Sequence, residues 1–378
     1  MSGILSGLRI GLLTPWASRA GGGVFEAVVL QAEMIRACGG EAPVFALDHG
    51  HVVEDSARFA PGTLHLCSQR GPAVVGFAPE MVKRLVEADL DVLHLHGIWM
   101  YPSSAGAAWA RRTNRPYIVS PHGMLDPWIT GRGRWKKALA RLGYERRSWR
   151  ASRCLHALTG READDIRRET GRTDSVVIPN PGPEPVAPLP QRAPCGPVVY
   201  VGRIHPKKNL LALVAGWKSA RLPADARLVL AGWGAQADID ALNQAIGDDT
   251  TISYIGPIFG ADKDALIASA RFVVLPSRSE GLPMAMLEAW SAAIPTIMTS
   301  HCNLPEGYAA NAALSCGLER DDIAITLQKA MAMQQSEWSV MSNNARALFA
   351  ARFSLSRITA IWAETYANLA ASGVSGAR

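Results

Sequence analysis

What this chain lacks narrows it first. Over 378 residues no apolar run approaches the ~18 needed to span a bilayer. The run Leu8 to Leu13 is too short for a signal-peptide core, so a cytoplasmic protein is expected. Its six cysteines, Cys38, Cys67, Cys154, Cys195, Cys302 and Cys316, stand far apart. Secreted disulfide scaffolds are denser in cysteine and zinc sites need close pairs, so these read as reduced thiols. No GxGxxG follows the first apolar run. Gly21-Gly22-Gly23 stands there instead, with no acid at the expected ribose position, which argues against a nicotinamide cofactor. There are no short repeats or low-complexity tracts. With 48% hydrophobic and 19% charged residues the composition is that of a folded globular protein, and the length accommodates two domains of ordinary size.

Apolar strand-like runs alternate with amphipathic stretches, the pattern of parallel α/β sheets with crossover helices. The first half predicts strands near 8–14, 42–47, 91–95, 116–120, 154–158 and 175–178. The second half predicts them near 197–201, 227–231, 251–255, 271–275, 295–298 and 312–315. Between the halves, Pro179, Pro181, Pro183, Pro185, Pro188, Pro190, Pro194 and Pro197 are too dense for a helix and suit a semi-rigid linker. The expected organisation is a first domain over 1–180, a linker over 181–196 and a second domain over 197–353. The last amphipathic run, 354–371, follows completion of the second sheet. The fold class is α/β, two Rossmann-like domains facing across a cleft, because open parallel sheets bind ligands beyond the carboxyl ends of their strands.

Chemistry concentrates in the second half. Ser279-Glu280-Gly281-Leu282-Pro283-Met284 directly follows the apolar run Phe272 to Leu275 and leads into a helical stretch containing Glu288. Pro283 suits the first helical position. The unpaired N–H groups of such a helix start form an anion site. One glutamate can take sugar hydroxyls and the other a ribose diol. Gly202-Arg203-Ile204-His205-Pro206-Lys207-Lys208 likewise follows the run Pro197 to Val201, and Arg203 and Lys208 there can stabilise a departing diphosphate. In the first half, Gly22 and Gly23 let the backbone approach a phosphate or sugar closely. His122 follows the strand Tyr117 to Ser120 at a turn that can point it into the cleft. His94 and His96 share one strand face, a spacing that can bind a metal but on its own is a weak signal, so a buried or capping pair is the preferred reading and an acceptor-side contact for His96 the second. Asp89-Leu90-Asp91 and Asp238-Ile239-Asp240 have DxD spacing, yet one ends a helix and the other lies inside one, so both read as surface charge.

Arg203 and Lys208 followed by Glu280 and Glu288 resemble the retaining glycosyltransferases of the "glycosyl transferases group 1" family, which have the GT-B fold. The resemblance extends through Arg9 to Val24, Asp91 to Trp99, Ser120 to Trp128 and Ala157 to Asn180. It implies that Glu280 contacts the donor sugar and Glu288 the ribose, that Arg203 and Lys208 hold the diphosphate, and that His122 lies beside the reacting centre. Gly22, Gly23, Gly281, Leu282, Pro283 and Met284 then belong to the donor site, and His96 and Trp99 to the acceptor side. The run 354–371 is expected to cross back onto the first domain. Three departures stand out: Pro181 and Asn209 where glycine is usual, and Trp233 between Gly232 and Gly234 where an acid is commoner. They bear on sugar or base preference. No metal or cofactor is expected. The expected function is transfer of a hexose from a nucleotide-diphosphate sugar to a polysaccharide or polyprenyl-linked saccharide in bacterial exopolysaccharide or cell-envelope glycan synthesis. The alternatives are a GT-B nucleotide-sugar epimerase and a non-catalytic nucleotide-sugar-binding protein.

Charge divides unevenly. Residues 1–183 hold 23 Lys and Arg against 17 Asp and Glu, a balance of +6, while 184–378 hold 16 of each. Much of the excess lies in Trp128 to Arg153, where nine basic residues accompany the single acid Glu145 and are interleaved with Trp135, Leu139, Leu142, Tyr144 and Trp149. Such a basic amphipathic helix either meets the inner face of an anionic membrane or packs its apolar side on the domain. Nucleic acid is not expected as a partner, since no binding module accompanies the charge.

Overall fold

The computed structural model describes residues 3–50, 52–131, 133–184 and 196–374. The expected linker therefore lies mostly outside the described residues, as do Cys195, Arg132 and the side chain of Trp128. The chain forms two compact units, Met1–Asn180 with Ile358–Arg378, and Pro181–Arg357.

The first unit is built on a parallel sheet of β1 (Ile10–Thr14), β2 (Val44–Leu47), β3 (Leu64–Cys67), β4 (Val92–His96), β5 (Tyr117–Ser120), β6 (Cys154–Ala157) and β7 (Val176–Val177) in the order β3-β2-β1-β4-β5-β6-β7. β1, β4, β5 and β6 are buried along their whole length, as expected of parallel strands covered by helices on both faces. β3 was not anticipated from the sequence. It is a four-residue edge strand whose first three side chains are only half-buried, so it offers little apolar signal. The helix Leu355–Val374 supplies this unit from the far end of the chain. Its Tyr366 hydroxyl accepts from Gln31 at 2.9 Å.

The second unit carries β8 (Val198–Val201), β9 (Leu228–Ala231), β10 (Ile252–Tyr254), β11 (Phe272–Leu275), β12 (Thr296–Met298) and β13 (Ala313–Ser315) in the order β10-β9-β8-β11-β12-β13. In each unit the order reverses once, between β1 and β4 and between β8 and β11. Chain segments leaving adjacent strands diverge at such a switch point and open a crevice at the carboxyl ends.

Candidate active site

In the second unit, the loops leaving β8 and β11 meet at the switch point. Lys208 ends a short 3-10 turn, Pro206–Lys208, that interrupts the expected simple turn after β8. Its ammonium lies 2.6 Å from the Glu280 carboxylate, across 72 positions of sequence. Backbone bonds fix both loops: Ser277 Oγ donates to Lys207 O at 3.0 Å, Arg278 N–H donates to the same carbonyl at 2.8 Å, and Glu280 N–H donates to His301 O at 3.0 Å. Asn303 Nδ2 donates to Glu280 O at 2.5 Å.

Asn209 stands where glycine is usual, and the structure explains it. The residue is left-handed, with φ 60° and ψ 34°, a conformation that asparagine tolerates better than most side chains. Its amide also donates to Leu318 O at 2.8 Å and accepts from Arg278 at 2.9 Å, so the side chain braces the loop as glycine cannot. Arg203 is exposed and makes no side-chain bond among the described residues. Its backbone is held by the buried Tyr200, whose hydroxyl donates to Arg203 O at 2.8 Å. Gly232, at the end of β9, is required there: a Cβ would sit 1.7 Å from Gly202 O.

The helix after β11 runs Met284–Ser291, with Pro283 as its N-cap at φ −76° and ψ 103°. This corrects the expectation that Pro283 is the first helical residue: its ψ is extended, so helical geometry begins one residue later. No side chain caps the helix start. Gly281, Leu282 and the first amides therefore lie at an open positive end of the helix. Glu288, on the second turn, is paired at 2.7 Å with Lys263 of the helix Gly260–Ser269. Lys263 was missed from the sequence, since nothing in one dimension links it to Glu288. One turn earlier, Phe259 lies beside Trp233 with ring centroids 5.7 Å apart, and both are exposed, 64% and 50%.

In the first unit, Gly22 caps the helix Gly23–Ala37 with φ 53°, and a Cβ at Gly22 or Gly23 would meet nothing within 4 Å. The space above both glycines is open. The β4 and β5 ends carry histidines. His96 is buried, with Nδ1 3.0 Å from His122 Nε2 and its own Nε2 unpartnered. His122 is half-buried in a left-handed turn at φ 51°. The turn is anchored by the buried Glu162, whose carboxylate accepts from Gly123 N–H at 2.5 Å and Leu158 N–H at 2.8 Å. Burial raises the Glu162 pKa, opposed by those two bonds. Glu162 also went unread, although Thr159-x-x-Glu162 has capping-box spacing and Thr159 does cap the helix Gly160–Thr170.

Behind this pair runs an oriented chain of hydrogen bonds. His156 Nε2 faces Ile178 O at 2.7 Å and must donate, which leaves its Nδ1 to accept from Ser120 Oγ at 2.6 Å. Ser120 Oγ then accepts from His94 Nε2 at 2.6 Å, and His94 Nδ1 accepts from Tyr366 at 2.7 Å. Every member is neutral. Burial is the first cause holding His94 and His96 well below the ordinary histidine range, followed by their histidine neighbours. It lowers His122 to about 3, helped by His156, and His156 to about 4 against its bond to Ile178 O. The His94 and His96 pair is thus a buried packing element, one of the readings its spacing allowed.

Trp99, at φ 77°, has its indole N–H on Met124 O at 3.2 Å and its backbone N–H on the buried Glu145 carboxylate at 2.5 Å. Burial pushes Glu145 up to about 7 against that bond. Lys137 and Arg141 lie over the Trp99 ring. The basic segment is not one uniform helix: Pro127–Thr130 is followed by Arg134–Ala140, a π-turn at Arg141–Glu145, and Arg146–Ala151. Its apolar residues divide. Trp149 is buried, whereas Trp135, Leu139 and Leu142 are 67%, 62% and 67% exposed. Packing on the domain therefore accounts for only the second half of the segment. No helix among the described residues is long and apolar enough to cross a membrane.

Three of the four DxD carboxylates have local partners. Asp89 pairs with Arg115 at 2.8 Å, Asp91 accepts from Arg9 N–H at 2.8 Å, and Asp240 accepts from Gln236 at 2.8 Å.

Comparison with known proteins gives each half a relative. Residues 22–181 match the family described as "Glycosyl transferase 4-like domain" and residues 196–333 match "Glycosyl transferases group 1". The chain is 33% identical over 118 residues to the O-antigen chain mannosyltransferase B of Escherichia coli, a stretch covering 29% of this chain and 30% of that protein. It is 25% identical over 321 residues to the phosphatidyl-myo-inositol mannosyltransferase of Mycobacterium leprae (strain TN), covering 77% of this chain and 78% of that one. Anabaena HepE, solved in complex with UDP, superposes with a TM-score of 0.76 at 17% identity, over 96% of this chain and all of that one. That likeness establishes the fold as GT-B.

Proposed function

We propose, from the premise that the chain is a GT-B glycosyltransferase made of a glycosyl transferase 4-like domain and a glycosyl transferases group 1 domain, that it transfers a hexose from a nucleotide-diphosphate sugar with retention and without a metal. The acceptor is a polysaccharide or polyprenyl-linked saccharide, and the setting is bacterial exopolysaccharide or cell-envelope glycan synthesis. The observation that carries this reading is the 2.6 Å Lys208–Glu280 pair beside the uncapped start of the Met284–Ser291 helix.

In this reading the diphosphate takes Lys208, Arg203 and the helix amides as its cations and donors, as negative charge builds on the leaving oxygen. Glu280 and Glu288 exchange their lysine partners for hexose and ribose hydroxyls respectively. The exposed faces of Trp233 and Phe259 suit stacking with the nucleobase. Gly22 and Gly23 leave room for the donor's approach on the first domain, and His122 hydrogen-bonds the sugar or acceptor, with His96 and Trp99 behind it. Retention follows from front-side attack: the acceptor oxygen bonds to the anomeric carbon as the carbon–phosphate oxygen bond breaks, and the departing phosphate oxygen takes the acceptor's proton. Fixed cations serve the leaving group, and Asp89, Asp91 and Asp240 of the DxD pairs are already engaged elsewhere, which is why we assign no metal.

The exposed Trp135, Leu139 and Leu142 among basic residues favour a peripheral contact with the anionic inner leaflet, where a polyprenyl-linked acceptor is found. The protein is accordingly placed in the cytoplasm at the membrane face.

The test is Lys208→Ala assayed with the donor identified by thermal-shift screening of UDP, GDP, ADP and their sugars. Turnover at saturating donor should fall about 10²- to 10³-fold, as for other transition-state donors. Near wild-type turnover refutes the assignment.

A further inference from the structure

A second concave site lies at the opposite edge of the first unit's sheet. The segments entering β5 and β6, with the end of the helix Tyr101–Thr113, line a cavity of about 440 Å³. It sits at the amino ends of strands whose carboxyl ends carry His96 and His122, about a strand's length of 13 Å away. Its lining includes Arg111, Arg115 and Arg153, together with Asn114, Ser152 and Ser372 of the returning C-terminal helix.

The charge here is only partly compensated. Arg115 is engaged by Asp89 at 2.8 Å and by Leu90 O at 2.6 Å. Arg111 and Arg153 are exposed, and neither guanidinium has a hydrogen bond or ion pair among the described residues. No carboxylate lines the cavity. Asp89 answers Arg115, and Asp174, which does not line the cavity, acts on Arg153, so positive charge stays in excess in the concavity. The partial negative end of the Tyr101–Thr113 helix, equivalent to about half a charge, offsets only part of this. The walls are fixed: Arg153 N–H donates to Tyr117 O at 2.7 Å, and Arg172 holds Ser152 O at 2.8 Å and Arg153 O at 3.1 Å. Converging forked donors on a rigid rim match the oxygens of a phosphate group.

We propose that this cavity binds a phosphate-bearing dianion, separately from the donor site. That chemistry has two sources, a free phosphate compound or a lipid headgroup. Binding of inorganic pyrophosphate to the full chain is measured by calorimetry in a Lys208→Ala background, which weakens the donor site, with and without Arg111→Ala/Arg153→Ala. In parallel, sedimentation with phosphatidylcholine vesicles containing phosphatidic acid compares the wild type with the same double variant. Loss of each charged contact is worth about tenfold. A pyrophosphate site weakened at least tenfold by the double substitution supports the free ligand. Absence of that site with a comparable loss of vesicle binding supports the headgroup. The exposed pair Arg221→Ala/Arg346→Ala, in the second unit and outside both the cavity and the basic segment, is the control for general charge. If it weakens binding as much, or if the cavity variant changes neither measurement while its melting temperature matches the parent's, the proposal is overturned.

Discussion

Acid should unfold the first unit in a particular way. Three buried histidines, His94, His96 and His156, and the half-buried His122 stand there in neutral form, with His122 lowered to about 3 and His156 to about 4. Both lie below the unfolded value of ~6.5, so it is the unfolded chain that binds the extra protons. The stability these rings contribute is complete above about 6.5 and is lost as pH falls toward their folded values. At pH 5.0 each ring is ~1.5 units below its unfolded pKa, which at ~1.4 kcal/mol per unit is about 2 kcal/mol. Two rings give about 4 kcal/mol, and the partial exposure of His122 reduces this to about 3, a large share of the ~5–15 kcal/mol that holds a domain together. His122→Asn isolates one ring, because asparagine accepts the left-handed φ of 51°. Hydrogen exchange of peptides covering β4, β5 and β6, followed through urea at pH 7.5 and 5.0 and corrected for intrinsic rates, reads the unit separately from the other. The wild type should lose at least about 3 kcal/mol, since His94 and His96 add to the two rings counted, and the variant at least about 1 kcal/mol less. A wild-type loss under about 1 kcal/mol, or identical slopes in both proteins, refutes the neutral, buried cluster.

Three further outcomes are expected. Asn209→Ala should cost about 2 kcal/mol in thermal melting, from the left-handed φ and the lost bonds to Leu318 and Arg278, while Asn209→Gly recovers only the backbone part; equal melting of the two variants contradicts this. Glu162→Ala leaves the Gly123 and Leu158 N–H groups without their acceptor and should lower the urea stability of the first unit by about 1–3 kcal/mol, with Glu162→Gln retaining part of it. Trp135→Ser with Leu139→Ser should reduce co-sedimentation with anionic vesicles at least about tenfold, from the apolar burial lost; equal wild-type binding to neutral and anionic vesicles, or none to either, removes the membrane contact.

Strand positions were legible because parallel strands buried on both faces read as continuous apolar runs, as in Ile10–Thr14 and Phe272–Leu275. β3 escaped because an edge strand has only partial burial to write into its composition. Lys208 and Glu280 were each legible as site candidates because each lies in the loop after a strand, while their pairing comes from strand order at the switch point. Lys263 was not, since its partnership with Glu288 depends on how a helix packs after β10. The histidines show the limit most plainly. His94 and His96 announced a shared face, but what fills the ring nitrogens of His94 comes from Ser120 and Tyr366, 26 and 272 positions away. No local pattern encodes such a distance.

The return of the last helix to the first unit has a consequence for biosynthesis. His94 obtains the Tyr366 hydroxyl only after everything in the second unit has left the ribosome. At translation speeds of ~5–20 residues per second, the 178 residues from Asn180 to Ile358 take roughly 9–36 s. For that interval the side of His94 that Trp362 and Tyr366 cover in the finished chain is left to water. The later-made half can close around its own core first, and loss of the helix Leu355–Val374 would damage the half that was made earliest.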